Sequence, residues 1–208
     1  MESKILVTYA TNAGSTAEVA DVIGEELARG GASVDVRRVD EVGSLEGYSA
    51  LVLGAPMIAG WHRAALGFLK RHQKALSKIP VAYFITCISL TQTDESQVDG
   101  VPVTVDPDLP KPPKQPGKLS FRERYATPGN YLRPALRSAP SVKPVSVGFF
   151  AGKLELFRLN IFQMIFATLV TGGRTGDFRN WEAIRSWAAN LNLFTADATR
   201  AEYAEMNK

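Results

Sequence analysis

The sequence predicts an α/β fold, a parallel sheet covered by helices on both faces. Three observations carry this. Short apolar runs alternate with amphipathic helical stretches through the first 90 residues. Two of those runs, Ala50 to Leu53 and Val81 to Ile88, are almost wholly apolar, as strands buried on both faces are. A turn of small and hydroxyl residues joins the first run to the first helix.

Lys4 to Tyr9 reads as the first strand. It enters the turn Thr11, Asn12, Ala13, Gly14, Ser15, Thr16, and a helix follows over Ala17 to Arg29 with Val19, Val22, Ile23 and Leu27 on one face. Gly30 and Gly31 end that helix. A strand, a tight turn and a helix start make an anion site. The N–H groups of the first helical turn lack partners within the helix, and the helix dipole adds partial positive charge. Thr and Ser hydroxyls add hydrogen bonds. No lysine or arginine lies in the turn, so a phosphate there is expected to be held by neutral donors, which suits a monophosphate. The competing reading is an ordinary turn with a capping hydroxyl. The GxxxxGK[ST] and GxGxxG nucleotide motifs are both absent from the turn.

Ser33 to Val39 reads as strand two and Ala50 to Leu53 as strand three. A loop of Gly54, Ala55, Pro56, Met57, Ile58, Ala59, Gly60 and Trp61 follows, then a helix over Ala64 to Leu76. Strand four, Val81 to Ile88, runs into a third loop of Thr86, Cys87, Ile88, Ser89 and Leu90. Open parallel sheets bind ligands outside the carboxyl ends of their strands, so the three loops are expected to form one site. Trp61 is placed at its mouth, where an indole can stack on a planar ligand; the alternative is core packing. His62 reads as a surface histidine rather than a base. Cys87 reads as a small buried residue rather than a nucleophile, since no histidine lies near it in sequence.

The pattern breaks between Thr91 and Pro144, which hold ten prolines. DPDLPKPPKQPG excludes helix and inner strand, because proline lacks the N–H and restricts its predecessor. The segment is expected to be extended and mobile, with short helical turns at Phe121 to Tyr125 and Tyr131 to Arg137, and removable without loss of the ligand site. Residues Lys111 to Arg158 carry +8 while the remainder of the chain sums to −5. That asymmetry points to an anionic partner, either a lipid surface, an acidic substrate or nucleic acid; the alternative is a solvated charged loop. Val145 to Phe150 reads as the last strand. Leu154 to Val170 is strongly apolar, and its cover would be a partner, a second subunit in a homodimer, or lipid. Asn180 to Leu193 is the final amphipathic helix, capped by Asn180.

At 208 residues the chain is expected to form a single domain with the insertion at 91–144. One cysteine excludes an internal disulfide, and two histidines leave too few ligands for zinc, so no metal is expected. The chain opens directly on a strand and holds no run of about 18 apolar residues, so neither a signal peptide nor a spanning helix is expected. The expected compartment is the cytoplasm, extending to contact with the cytoplasmic face of a membrane.

TNAGST has the form T-x-[ST]-G-x-T at Thr11, Gly14 and Thr16, with Ala13 replacing a hydroxyl. On these residues the chain resembles the flavodoxin-like family. GAPMIAGWHRAALGFLKRHQKALSKIPVAYF, and the C-terminal stretch with Gly172, Gly173 and Asp177, look like the branch that contains menaquinone-dependent protoporphyrinogen oxidases. The resemblance implies a doubly wound five-stranded parallel sheet of order 2-1-3-4-5, with the insertion before the last strand. It implies FMN, its phosphate on Thr11, Asn12, Ala13, Gly14, Ser15 and Thr16. The flavin ring would lie between Pro56, Met57, Ile58, Ala59, Gly60, Trp61 and Thr86, Cys87, Ile88, Ser89. It also implies an oxidoreductase passing electrons from a porphyrinogen to a quinone. The alternative is a soluble flavodoxin-type electron carrier. Such carriers are strongly acidic, whereas this chain has a pI near 9.0. A nucleic-acid module ranks last, because no known motif of that kind is present.

Overall fold

The computed structural model describes residues 4–58, 60–115, 117–154 and 176–193. Ala59, the apolar stretch from residue 155 to Val170, Gly172, Gly173 and the polar tail after Thr195 lie outside them. The chain runs β1 (Lys4–Tyr9), α1 (Ser15–Arg29), β2 (Ser33–Arg38), β3 (Ala50–Met57), α2 (Arg63–Leu76) and β4 (Val81–Cys87). It continues β5 (Leu90–Thr91), β6 (Gln97–Val98), β7 (Val101–Val105), β8 (Pro110–Lys111), α3 (Phe121–Tyr125) and α4 (Pro128–Ser138). It closes with β9 (Ser146–Ala151), β10 (Lys153–Leu154), β11 (Gly176–Asp177) and α5 (Trp181–Ala189).

Among the described residues the central sheet has seven strands in the order β2-β1-β3-β4-β9-β7-β6, where five were expected. All neighbours are parallel except β6 and β7. Helices α1 and α5 cover one face through Val19, Ile23, Leu27, Ile184 and Trp187, packed on Ile5, Val7, Val52, Phe84 and Phe150. Helices α2 and α4 cover the other through Phe68, Leu69, Leu132 and Ala135, packed on Leu6, Leu53, Tyr83 and Phe149. The near-continuous apolar strands follow from that double covering.

The insertion departs most from expectation. It is built into the domain. Strand β7 lies parallel to β9, from Val103 opposite Val147 to Val105 opposite Phe149. Leu132 and Ala135 of α4 are fully buried, and Val98, Val101 and Leu109 join the same core. The buried Asp106 ties the end of β7 to its surroundings. Its carboxylate accepts from the Asp108 N–H at 3.0 Å and from the Asn180 amide at 3.3 Å. The prolines sit where their missing N–H does little harm: Pro128 opens α4 and Pro102 is an exposed residue of β7, although Pro134 lies inside α4.

Helix α3 starts on a capping box. Ser120 Oγ accepts from the Glu123 N–H at 3.3 Å, and the Glu123 carboxylate accepts from the Ser120 and Lys114 N–H groups at 2.7 Å each. The Ser120 hydroxyl first, then the Lys114 and Ser120 N–H groups, pull the Glu123 carboxyl down to about 2 from its ordinary 4.5. A depressed carboxyl contributes its stabilisation fully above the ordinary value and loses it as pH falls through the folded one. In an NMR titration the Lys114 and Ser120 amide resonances are expected to move together with a midpoint near 2. A midpoint near 4.5 would mean a free carboxylate.

Candidate functional site

The turn after β1 is shaped by Gly14, which caps α1 with φ at 93°, in the left-handed region that glycine adopts freely. Its N–H donates to Thr11 Oγ1 at 2.9 Å, which closes the turn. Among the described residues no side chain caps α1, and the Ala17 and Glu18 N–H groups already donate to Gly14 O. The Ser15 and Thr16 amides are therefore the first-turn donors left to face a ligand.

The turn opens on a cavity at the carboxyl ends of β1, β3, β4 and β9. It is lined by Thr11, Asn12, Ala13, Ser15, Thr16, Pro56, Ile58, Thr86, Cys87, Ile88, Gly152 and Lys153. Two hydroxyls lock its floor, since Thr16 Oγ1 and Thr86 Oγ1 lie 2.9 Å apart and share a hydrogen bond. The Lys153 N–H donates to Ser15 Oγ at 2.9 Å and the Gly152 N–H to Cys87 O at 3.0 Å, binding the end of β9 to the helix start and to β4.

Gly54, Ala55, Pro56 and Met57 are strand, not loop, because β3 runs to Met57. Proline inside a central strand is ordinarily excluded. Here β1 stops at Tyr9, opposite Gly54, while β3 continues alone against β4. The Ala10 N–H donates to Gly54 O, so the polar groups of Gly54 face β1; those of Pro56, two residues on, face the same side after β1 has ended. The missing N–H of Pro56 leaves no ladder bond unmade.

Other expected site residues lie elsewhere. Met57 is in the core, and Gly60 and Ser89 do not line the cavity. Gly14 shapes the turn without lining it, and Ala59 lies outside the described residues. The Trp61 ring was expected at the mouth but packs inward. It is 7% exposed and meets Tyr83 edge-on at 6.1 Å. Its indole N–H donates to the carbonyl of Tyr131, in α4. The Tyr131 hydroxyl in turn donates to Ser89 O at 3.1 Å. One residue of the insertion thus braces the loops after β3 and β4 from behind. A buried tryptophan with a carbonyl for its N–H satisfies both halves of that side chain, which a solvent-side position would not.

His62 caps α2, its Nδ1 accepting from the Ala64 N–H at 3.3 Å. Burial and then Arg38 push its pKa below the ordinary value, a direction that favours the neutral ring whose Nδ1 can accept. Cys87 is buried, and burial pushes its thiol up and out of nucleophilic use. Gly152 and Lys153 were not anticipated. They follow the last long strand, and only the parallel register of β4 with β9 brings them to the turn.

A family model described as the flavodoxin domain matches residues 6–179. A protoporphyrinogen IX dehydrogenase [quinone] of Leishmania major is 28% identical over 200 residues, spanning 90% of this chain and 74% of that one. A solved archaeal flavodoxin aligns at a TM-score of 0.45 and 11% identity, over 90% of this chain and 94% of its own. A Fusobacterium nucleatum flavodoxin mutant solved with flavin mononucleotide aligns at a TM-score of 0.30 and 21% identity, over 41% of this chain and 53% of its own.

Proposed function

Because the chain belongs to the flavodoxin domain family, we propose that it is an FMN-dependent oxidoreductase that takes electrons from a porphyrinogen and delivers them to a quinone. The cofactor is FMN, which when bound supplies the redox chemistry. The observation that carries the reading is the cavity in which the uncapped start of α1 meets the ends of β3, β4 and β9. The donor set fits a phosphate monoester: free first-turn amides, the Thr11, Ser15 and Thr16 hydroxyls, and the left-handed Gly14 that aims the amides outward. Pro56, Ile58, Thr86, Cys87 and Ile88 would border the ring, giving it an apolar edge that excludes water.

Donor and acceptor are supported by two things. The Leishmania major relative is named for protoporphyrinogen IX and quinone. The insertion adds a basic surface next to the site. Helix α3 packs against β5, which directly follows the loop after β4, and presents Phe121 at 85% exposure beside Arg122 and Arg124. Cations around an exposed aromatic suit a surface where carboxylates or anionic lipid meet an apolar phase. Among the described residues no helix is long and apolar enough to cross a membrane.

Purified protein is expected to be yellow and to release FMN on denaturation. Under anaerobic conditions a porphyrinogen should bleach it, and a menaquinone analogue should restore the colour. Recovery should be faster from anionic vesicles than from neutral ones, and Phe121→Ser should shrink that difference. Protein that stays colourless with added FMN would remove the cofactor; bleaching by a reduced carrier protein but by no porphyrinogen would favour electron carriage instead.

A further inference from the structure

Main-chain donors already occupy two hydroxyls of the phosphate turn. Thr11 Oγ1 accepts from the Gly14 N–H at 2.9 Å, and Ser15 Oγ accepts from the Lys153 N–H at 2.9 Å. A hydroxyl has one proton and two lone pairs, so each keeps its O–H to donate. Thr16 differs, because its partner is a second hydroxyl. Its Oγ1 lies 2.9 Å from Thr86 Oγ1, and either atom can be the donor. The two residues are 1% and 4% exposed and come from different elements that border the cavity, α1 and β4. Among the described residues neither hydroxyl has another partner. The pair holds two protons and spends one on itself, so one O–H stays unspent in a buried site. A buried donor without an acceptor is costly.

A phosphate monoester decides where that proton goes. Its oxygens are strong acceptors and carry about 1.5 to 2 negative charges near neutral pH. Thr16 is the second residue of α1, beside the first-turn amides left to face a ligand. Its proton turns to the anion, and the bond within the pair must then be given by Thr86. The result is a chain, Thr86 O–H to Thr16 O–H to phosphate, in which each bond polarises the next. All three hydroxyls are then held alike: a protein donor fills one lone pair, and the O–H serves the ligand. Unphosphorylated riboflavin imposes no such direction, since its side chain ends in a hydroxyl that can donate as well as accept.

We propose that Thr86 is a positioning residue for the phosphate: it donates to Thr16 Oγ1 and so commits the Thr16 proton to the ligand. This rests on the FMN reading above. Its test is titration of the full chain, stripped of flavin, with FMN and with riboflavin. Wild type should prefer FMN. Thr86→Val should cut that preference about three- to tenfold while leaving riboflavin affinity unchanged. Thr86→Ala should give the same result, so a packing fault in one variant does not decide the outcome. Thr86→Ser should restore the preference, because it restores the donor. Thr16→Val should cost about tenfold or more. Adding Thr86→Val to it should cost FMN nothing further, since Thr86 acts through Thr16. A Thr86→Val protein with the wild-type preference overturns the assignment. Equal loss of both flavins also overturns it, by pointing to the ring or the fold, as do additive losses in the double variant. Wild type that binds both flavins equally would instead remove the phosphate from the turn, and wild type that binds neither would overturn the FMN reading; the relay falls with either.

Discussion

Excising residues 91–144 is expected to leave no folded protein. The segment supplies β7, which pairs with β9, and α4, which covers the sheet face that carries Tyr83 and Phe149. Without it both residues, now fully buried, would meet water. Burial of one large apolar side chain is worth roughly 1.5–3 kcal/mol. Losing Tyr131, Leu132, Leu109, Val98 and Val101 from the core, and uncovering Tyr83 and Phe149, removes on the order of 10 kcal/mol. A domain stable by roughly 5–15 kcal/mol does not survive that. The site would go as well, since Tyr131 holds both Trp61 and Ser89. Replacing only residues 112–118, whose described members are mostly exposed, with a short Gly-Ser link should leave the melting temperature within a few degrees. Soluble yield and thermal melts separate the cases; a cooperative melt from the 91–144 deletion would show that the insertion is an appendage.

Proline density argues against ladder hydrogen bonds and helix interiors, but it is blind to which prolines fall on exposed or terminal positions. Pro102 and Pro128 do, and Pro134 is carried inside α4 by the burial of Leu132 and Ala135 on either side of it. The shape of the turn from Thr11 to Thr16 was legible because it is local: strand, glycine and helix start are consecutive in the chain. Lys153 was not, because its bond to Ser15 spans 138 residues and depends on which strand neighbours β4. The stretch Gly54 to Met57, expected as loop, is strand for a third reason. Whether a proline suits a strand depends on where the adjacent strand stops, and β1 stops at Tyr9. Trp61 carried no signal to decide between mouth and core; its partner, the Tyr131 carbonyl, lies in the insertion that looked mobile.

Gly54→Ala is expected to destabilise the protein by about 3 kcal/mol or more and to loosen the phosphate turn at the same time. Gly54 lies in β3 opposite Phe84 of β4, whose ring folds over the glycine. A Cβ there would stand 1.9, 2.3 and 2.5 Å from three atoms of that ring. No side chain tolerates such approach, and Phe84 cannot retreat, being fully buried among Ile5, Val52 and Phe150. At about 2–4 °C per kcal/mol for a chain of this size, the melting temperature should fall by roughly 10 °C. The backbone shift should also reach the ligand. Gly54 O accepts from the Ala10 N–H at 2.9 Å, one residue before the turn begins, so FMN affinity should drop together with stability. Phe84→Leu alone should cost about 1–3 kcal/mol through the space it leaves. In the double variant the methyl group fills part of that space, so the two losses should sum to less than their separate values, with a coupling of at least about 1 kcal/mol. FMN affinity should recover in parallel. Additive losses, or a double variant no better than Gly54→Ala, would show that the ring is not what the glycine makes room for.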